Sequence, residues 1–206
     1  VTKQFWSFQR VTRPDPPSVK QKKWIRNPID GFILEKLEAE QLRPSPPLDK
    51  VALLRRVTYD VTGLPPSPRV VDDFFADESL NAYENVIDKL LASPHYGEKW
   101  SRHWLDLVRY AESNSYERDG TKPHVWRYRD YVIRSFNTDK PFDQFATEQL
   151  AGDELEQVTT DSKIATGYYR LGIWQDEPVD PEQSRFEDLD DILRTTTEAV
   201  SYTHLR

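Results

Sequence analysis

A chain of 206 residues with 31% charged side chains is polar, yet six Trp, ten Tyr and nine Phe are too many aromatics for a disordered segment. The net charge of −7 disfavours phosphate backbones and argues against a nucleic-acid partner; it is uneven, with 13 Lys/Arg against 7 Asp/Glu in residues 1–70 and 5 against 13 in residues 151–206. The absence of Cys excludes disulfides, thiol catalysis and thiolate metal sites, and no run reaches the roughly 18 apolar residues of a membrane span.

Residues 1–26 hold Pro14, Pro16 and Pro17 among basic side chains, which predicts an extended strap docked by Phe5, Trp6 and Phe8. A helical domain is expected over 27–200. Asn27 followed by Pro28 reads as an N-cap with Pro at the first helical position, and Ile29, Phe32, Ile33 and Leu37 repeat at helical spacing over about 28–42. Asp49 can cap a second helix with Leu53, Leu54, Val57 and Val61 inward and Gly63 as its stop. Pro65, Pro66, Ser67 and Pro68 then break the chain and start a short third helix carrying Val70, Val71, Phe74 and Phe75.

Tyr83, Val86, Ile87, Leu90 and Leu91 give the cleanest amphipathic pattern. Pro94 opens the next helix, expected over 94–112, with Trp100, His103, Trp104, Leu107 and Ala111 inward. Glu98, Arg102, Asp106 and Arg109 would form a salt-bridge ladder on its outer face. Tyr83, Val86, Ile87, Leu90, Trp100, Trp104 and Leu107 are expected in one core. Residues 113–124 read as a polar loop, followed by helices over about 125–137 and from Pro141 to Leu150, the latter stopped by Gly152. The stretch 153–181 reads as irregular, and a last helix covers 182–199. No period-2 strand pattern appears, so the fold class is all-α: an irregular multi-helix array with Pro-rich connecting loops and little or no sheet.

Both ends are expected to be artificial boundaries. The sequence starts at Val1 and contains no Met, and residues 201–206 match the translation of a transposon-derived sequencing adapter, so His204 is not read as functional.

Three side chains break the apolar stripes: His103 beside Trp100 and Leu107, Arg129 among Val125, Val132, Ile133 and Phe136, and Asp190 among Phe186, Leu189 and Leu193. On a structural reading they are buried polar groups whose partners lock helices together, Arg129 and Asp190 pairing with each other or with other charges. On a functional reading the loop over 112–130 gathers acids, aromatics and Arg into a pocket for carbohydrate or another polar ligand, and paired carboxylates there could work on a glycosidic bond. Arg109, Tyr110, Glu112, Asn114, Tyr116, Glu117, Asp119, His124, Trp126, Arg127 and Asp130 all fall in that region. The candidate functional or buried polar positions are therefore His103, Asp106, Arg109, Glu112, His124, Arg129, Asp130 and Asp190. No catalytic role is assigned to any of them, and no metal-ligand or nucleotide motif occurs.

Several longer words carry a resemblance: Asn27-Pro28-Ile29-Asp30, Asp60 to Pro66, Arg102-His103-Trp104-Leu105-Asp106, and Arg109 to Asn114. Trp126 to Tyr131, Asp139-Lys140-Pro141-Phe142, Gln149 to Asp153 and Asp188-Leu189-Asp190-Asp191 extend it. Together they resemble a domain family of unknown function, the second planctomycete cytochrome c-like domain, over nearly everything from Phe5 to Val200. The resemblance implies a periplasmic or otherwise exported protein in which neighbouring domains of the same chain are the partners. It also implies a CxxCH segment soon after residue 200 and haem c in the complete protein. This stretch has no thiol and no Met, so it is expected to hold no haem of its own. Two functions remain open: the helical front half of a c-type cytochrome-like protein that scaffolds or positions a redox site, or a glycan or polar-ligand module built on the loop 112–130.

Overall fold

The protein is described by a computed structural model over residue 5 and residues 9–114, 118–175 and 177–201. Trp6, Phe8, Tyr116, Glu117 and His204, named above, lie outside the described residues. Among the described residues, nine α-helices and two short 3-10 turns carry the regular structure, and the β structure is an isolated antiparallel bridge between Ser113 and Thr121. The protein is all-α, as the periodicity predicts. It divides into two compact units, Val1–Asp49 and Lys50–Arg206.

In the first unit the described part of the strap, residue 5 and residues 9–21, lacks regular structure up to a 3-10 turn at Lys22–Trp24. The N–H groups of Lys20 and Gln21 donate to the Glu38 carboxylate at 3.0–3.1 Å. Helix α1, Pro28–Ala39, begins on a reciprocal cap: Asn27 accepts from the N–H groups of Ile29 and Asp30, and the Asp30 carboxylate accepts from the Asn27 N–H. It stops short of the expected residue 42. Gln41 turns left-handed at φ 57°, and the Leu42 N–H returns to the Leu37 carbonyl at 2.8 Å. Gly31 and Leu34 form its buried face, with Pro16 and Pro17 packed over Gly31, whereas Ile29, Phe32 and Ile33 are exposed. Phe5 is half exposed.

The second unit holds two apolar clusters where the sequence suggests one. The first is built from α2 (Lys50–Thr62), α3 (Pro68–Ala76) and α4 (Ala82–Leu91) around Leu54, Val57, Phe74 and Val86. Gly63 ends α2 with φ +74°, its N–H on the Tyr59 carbonyl, and Ser67 caps α3 immediately before Pro68.

The second cluster joins α5 (Pro94–Leu107), α6 (Trp126–Asn137), α7 (Phe142–Ala151) and α8 (Thr160–Ala165). Its centre is Trp104, Val108, Tyr128, Tyr131, Val132 and Phe145. Trp104 is buried as expected, but Trp100 and Leu107 are 37% and 51% exposed. The buried stripe of α5 is Gly97, Ser101 and Trp104, continuing to Val108. Its small residues let α6 come close: a Cβ on Gly97 would stand 2.5 Å from the Ile133 carbonyl oxygen. Helix α5 also ends earlier than 112, because Arg109 is left-handed (φ 57°) and the Tyr110 N–H closes back on the Leu105 carbonyl at 2.9 Å.

Polar side chains thread this second cluster. The Trp104 indole N–H donates to the Tyr128 hydroxyl (2.9 Å), which donates to Gln149 (2.6 Å). Nearby, Glu148 accepts from the Tyr131 hydroxyl (2.7 Å), Gln144 (2.9 Å) and Lys140 Nζ (2.5 Å). The Lys140 ammonium also lies 4.7 Å from the centre of the Tyr131 ring.

The stretch 153–181 is more ordered than its punctuation suggests. A reciprocal cap between Thr159 and Ser162 starts α8, and a 3-10 turn at Thr166–Arg170 continues it. Helix α9, Pro181–Ser201, closes the unit. Among the described residues, no helix is long and apolar enough to cross a membrane.

Candidate functional site

The left-handed turn at Arg109 is the starting point. Non-glycine residues pay for positive φ, and such turns gather at functional sites. The turn sends the Arg109 guanidinium to Asp191 on α9, where Nη1 donates to Oδ2. Asp191 Oδ1 also accepts from Arg194 at 3.1 Å. Arg109 Nε is buried and lacks a hydrogen-bond partner among the described residues. Gly172 lies against this pair: a Cβ there would be 2.8 Å from Asp191 Oδ2 and 3.3 Å from Arg109 Nη1.

Lys122 holds Gly172 from the other side, its ammonium donating to the carbonyls of Leu171 (3.0 Å) and Gly172 (2.8 Å). Burial pushes the Lys122 ammonium below its usual range, and the Arg109 charge adds to the effect. The loop backbone is knitted to itself and to the 171–174 segment. Asn114 N–H donates to the Gly120 carbonyl, Lys122 N–H to the Glu112 carbonyl, and Trp174 N–H to the Asn114 carbonyl at 3.3 Å.

These elements enclose a cleft of about 240 Å³. Lys122, Asn114, Asp188 and Asp191 supply polar atoms, while Tyr169 and Trp174 supply aromatic surface. The Arg170 guanidinium sits 4.9 Å from the Trp174 ring centre. Asp188 is half-buried and has no hydrogen-bond partner among the described residues. Burial pushes its carboxyl above the usual range, opposed by Arg170 and reinforced by Asp191 and Glu187.

A second polar group stands on the other branch of the loop. Glu112 accepts from the Tyr110 hydroxyl and from Arg129 Nη1, both at 3.1 Å, and Arg129 also holds Asp130 at 3.0–3.1 Å. Burial, then the Glu112 hydrogen bond and charge, push the Tyr110 hydroxyl up to about 12. Glu112 and Asp130 are thus anchored on one guanidinium instead of forming a free acid/base pair.

The structure redistributes the remaining sequence candidates. His103 is exposed, its ring 5.3 Å from that of Trp100, so it is not a buried core histidine. Asp106 is exposed, and the expected ladder does not form among the described residues: Glu98 meets His95 at 2.6 Å and Arg109 meets Asp191. Arg129 is partly exposed and pairs with Glu112 and Asp130, not with Asp190. Asp190 is exposed, as are Phe186, Leu189 and Leu193 around it. His124 is exposed and lines a different cavity.

Helix α9 therefore faces inward through Asp188, Asp191, Ile192 and Thr195, the side opposite its apolar stripe. Lys122, Gly172, Trp174, Asp188 and Asp191 are cleft residues that pattern reading misses. The usable signal was the acidic word Asp188-Leu189-Asp190-Asp191, whose spacing of three places Asp188 and Asp191 on one helix face.

The side chains among the described residues do not fit a haem. The chain has neither Cys nor Met, His95 and His103 are exposed and engaged by Glu98 and Trp100, and His124 lies on another cavity. Among the described residues, no group of three or more His, Asp and Glu could hold a metal ion.

No curated protein and no solved structure matches the chain. A family model does, over residues 28–204, which include every element of the cleft. The chain belongs to the PSCyt2 family, described as a protein of unknown function (DUF1549).

Proposed function

We propose that the second unit is a binding module for a polyhydroxylated ligand, a carbohydrate in the first instance, seated between Asn114 and Lys122, the 169–174 segment and α9. The observation that carries this reading is Asp188: a half-buried carboxylate without a hydrogen-bond partner among the described residues, opening onto a cleft with Trp174 and Tyr169. A partly desolvated carboxylate left without a protein donor can accept from sugar hydroxyls, while aromatic surface receives the apolar C–H face of a sugar ring. The Arg109–Asp191 pair and Lys122 fix the walls beforehand, which lowers the ordering cost of binding. The paired Glu112 and Asp130 are held by Arg129, so the reading is binding, not glycoside hydrolysis.

The test is a glycan array probed with the chain and with Trp174→Ala. Saturable binding to a subset of glycans, lost in the variant, supports the reading. Absence of binding to any glycan, or binding that Trp174→Ala leaves unchanged, overturns it.

A second reading has its own observation. Phe186, Leu189 and Leu193 form an exposed apolar face on α9. We propose on this ground, together with the resemblance noted above, that in an exported, longer chain the helix packs on a redox domain carrying haem c. The uninterrupted reading frame from a related genome tests it: a CxxCH segment soon after the position of residue 200 supports it, and its absence removes it.

A further inference from the structure

A second cavity, of about 360 Å³, shares Lys122 and Arg170 with the cleft and is otherwise lined by different residues. Val125, Ile164, Leu171 and the Tyr128 ring give it an apolar lining. Four cations also line it, Lys122, Arg127, Lys163 and Arg170, together with His124, and no carboxylate does.

That concentration of one sign is unusual in a chain of net charge −7. Elsewhere in the unit, Arg109, Arg129, Arg134 and Lys140 each hold a carboxylate. The four cavity cations have no carboxylate salt bridge among the described residues. Lys122 spends two of its three donors on carbonyl oxygens, and Arg127 and Arg170 lie over the rings of Trp126 and Trp174, at 5.6 and 4.9 Å. Like charges beside an apolar, low-dielectric surface repel one another more than they would in water, and a bound anion relieves that repulsion.

We propose that this cavity binds an organic anion with a flat apolar body, an aromatic carboxylate being the simplest case. The body lies on the Val125, Ile164 and Leu171 surface and the carboxylate sits among Lys122, Arg127, Lys163 and Arg170. Gly167 leaves room for the body: a Cβ there meets nothing nearer than the Tyr128 ring edge at 3.9 Å.

The experiment is titration calorimetry of the whole 206-residue chain with three probes: 2-naphthoate, the neutral 2-naphthamide, and inorganic phosphate. The expected result is one saturable 2-naphthoate site, at least about tenfold tighter than either other probe and weakened by salt. Lys163→Glu, at an exposed position, should weaken it at least about fivefold by reversing one charge. Gly167→Leu should do the same by filling the cavity. Neither residue lines the cleft assigned to carbohydrate, so failure here and failure there are separable. If Gly167→Leu does not fold, Lys163→Glu decides alone. No 2-naphthoate binding, equal affinity for the amide, equal affinity for phosphate, or 2-naphthoate binding unchanged by Lys163→Glu would each overturn the proposal.

Discussion

Replacing Lys140 by Met removes the positive partner of Glu148, whose side chain is only 7% exposed, against 14% for the lysine. Breaking a buried pair from one side costs about 3–5 kcal/mol, because the remaining charge stays desolvated. Glu148 would keep the Tyr131 hydroxyl at 2.7 Å and Gln144 at 2.9 Å, which places Lys140→Met near the lower end, about 3 kcal/mol. For a chain of this size, each kcal/mol moves Tm by about 2–4 °C, so a fall of about 6–12 °C is expected. Burial alone would raise the Glu148 carboxyl, but the hydrogen bonds from Lys140, Tyr131 and Gln144 outweigh it and hold the group below its usual range. The pair's contribution is therefore present above the unfolded carboxylate value of about 4.3 and is lost as pH falls through the lower folded value. Urea unfolding followed by circular dichroism at pH 7 and pH 3 should show a large variant effect at the first and a much smaller one at the second. An effect at pH 7 no larger than that of Arg102→Ala, an exposed control worth about 0–1 kcal/mol, would refute the reasoning.

Arg129→Ala should cost only about 1 kcal/mol or less in urea unfolding, since its side chain is 39% exposed and both its partners are solvated; a loss of 3 kcal/mol would mean that Arg129 is buried after all. Gly152→Ala should lower Tm steeply, by about 6 °C or more, because a Cβ there would stand 2.0 Å from the Ser162 carbonyl oxygen and 2.4 Å from that of Glu148; an unchanged melting curve would show that α7 and α8 are not so close. Gly172→Ala should leave thermal stability within about 1 kcal/mol yet abolish binding on the glycan array, since the added methyl displaces a side chain, the Asp191 carboxylate, and not backbone. Retained binding would detach Gly172 from the cleft.

Helix existence was legible because caps and proline breaks are local. Asn27-Pro28, Ser67-Pro68 and Ser93-Pro94 each start a helix where the sequence places it. Helix faces were less legible, for a physical reason. On α5 the buried stripe is Gly97, Ser101 and Trp104, and Gly and Ser at a close helix crossing carry no hydropathy signal. On α9 the apolar stripe points outward and the charged side points into the cleft. Helix ends near Gln41 and Arg109 were missed because each turns left-handed without a glycine. Of the residues gathered in the loop reading, Asn114 lines the cleft, and Arg109 reaches it through its partner Asp191, one position from the Asp190 singled out by pattern. The buried network of Tyr128, Tyr131, Lys140 and Gln149 lay inside the words that carried the family resemblance, without any periodic break to mark it.

The claim that a polyhydroxylated ligand sits against Trp174 is tested most directly by following the indole N–H signals of the six Trp residues by two-dimensional NMR. The titrant is each glycan positive on the array. Trp174, on the cleft wall, should move most; Trp104, 6% exposed and bonded to Tyr128, should not move. Shifts centred on Trp100 or Trp126 with Trp174 unmoved, or no shift at any indole with any of these ligands, would contradict the account.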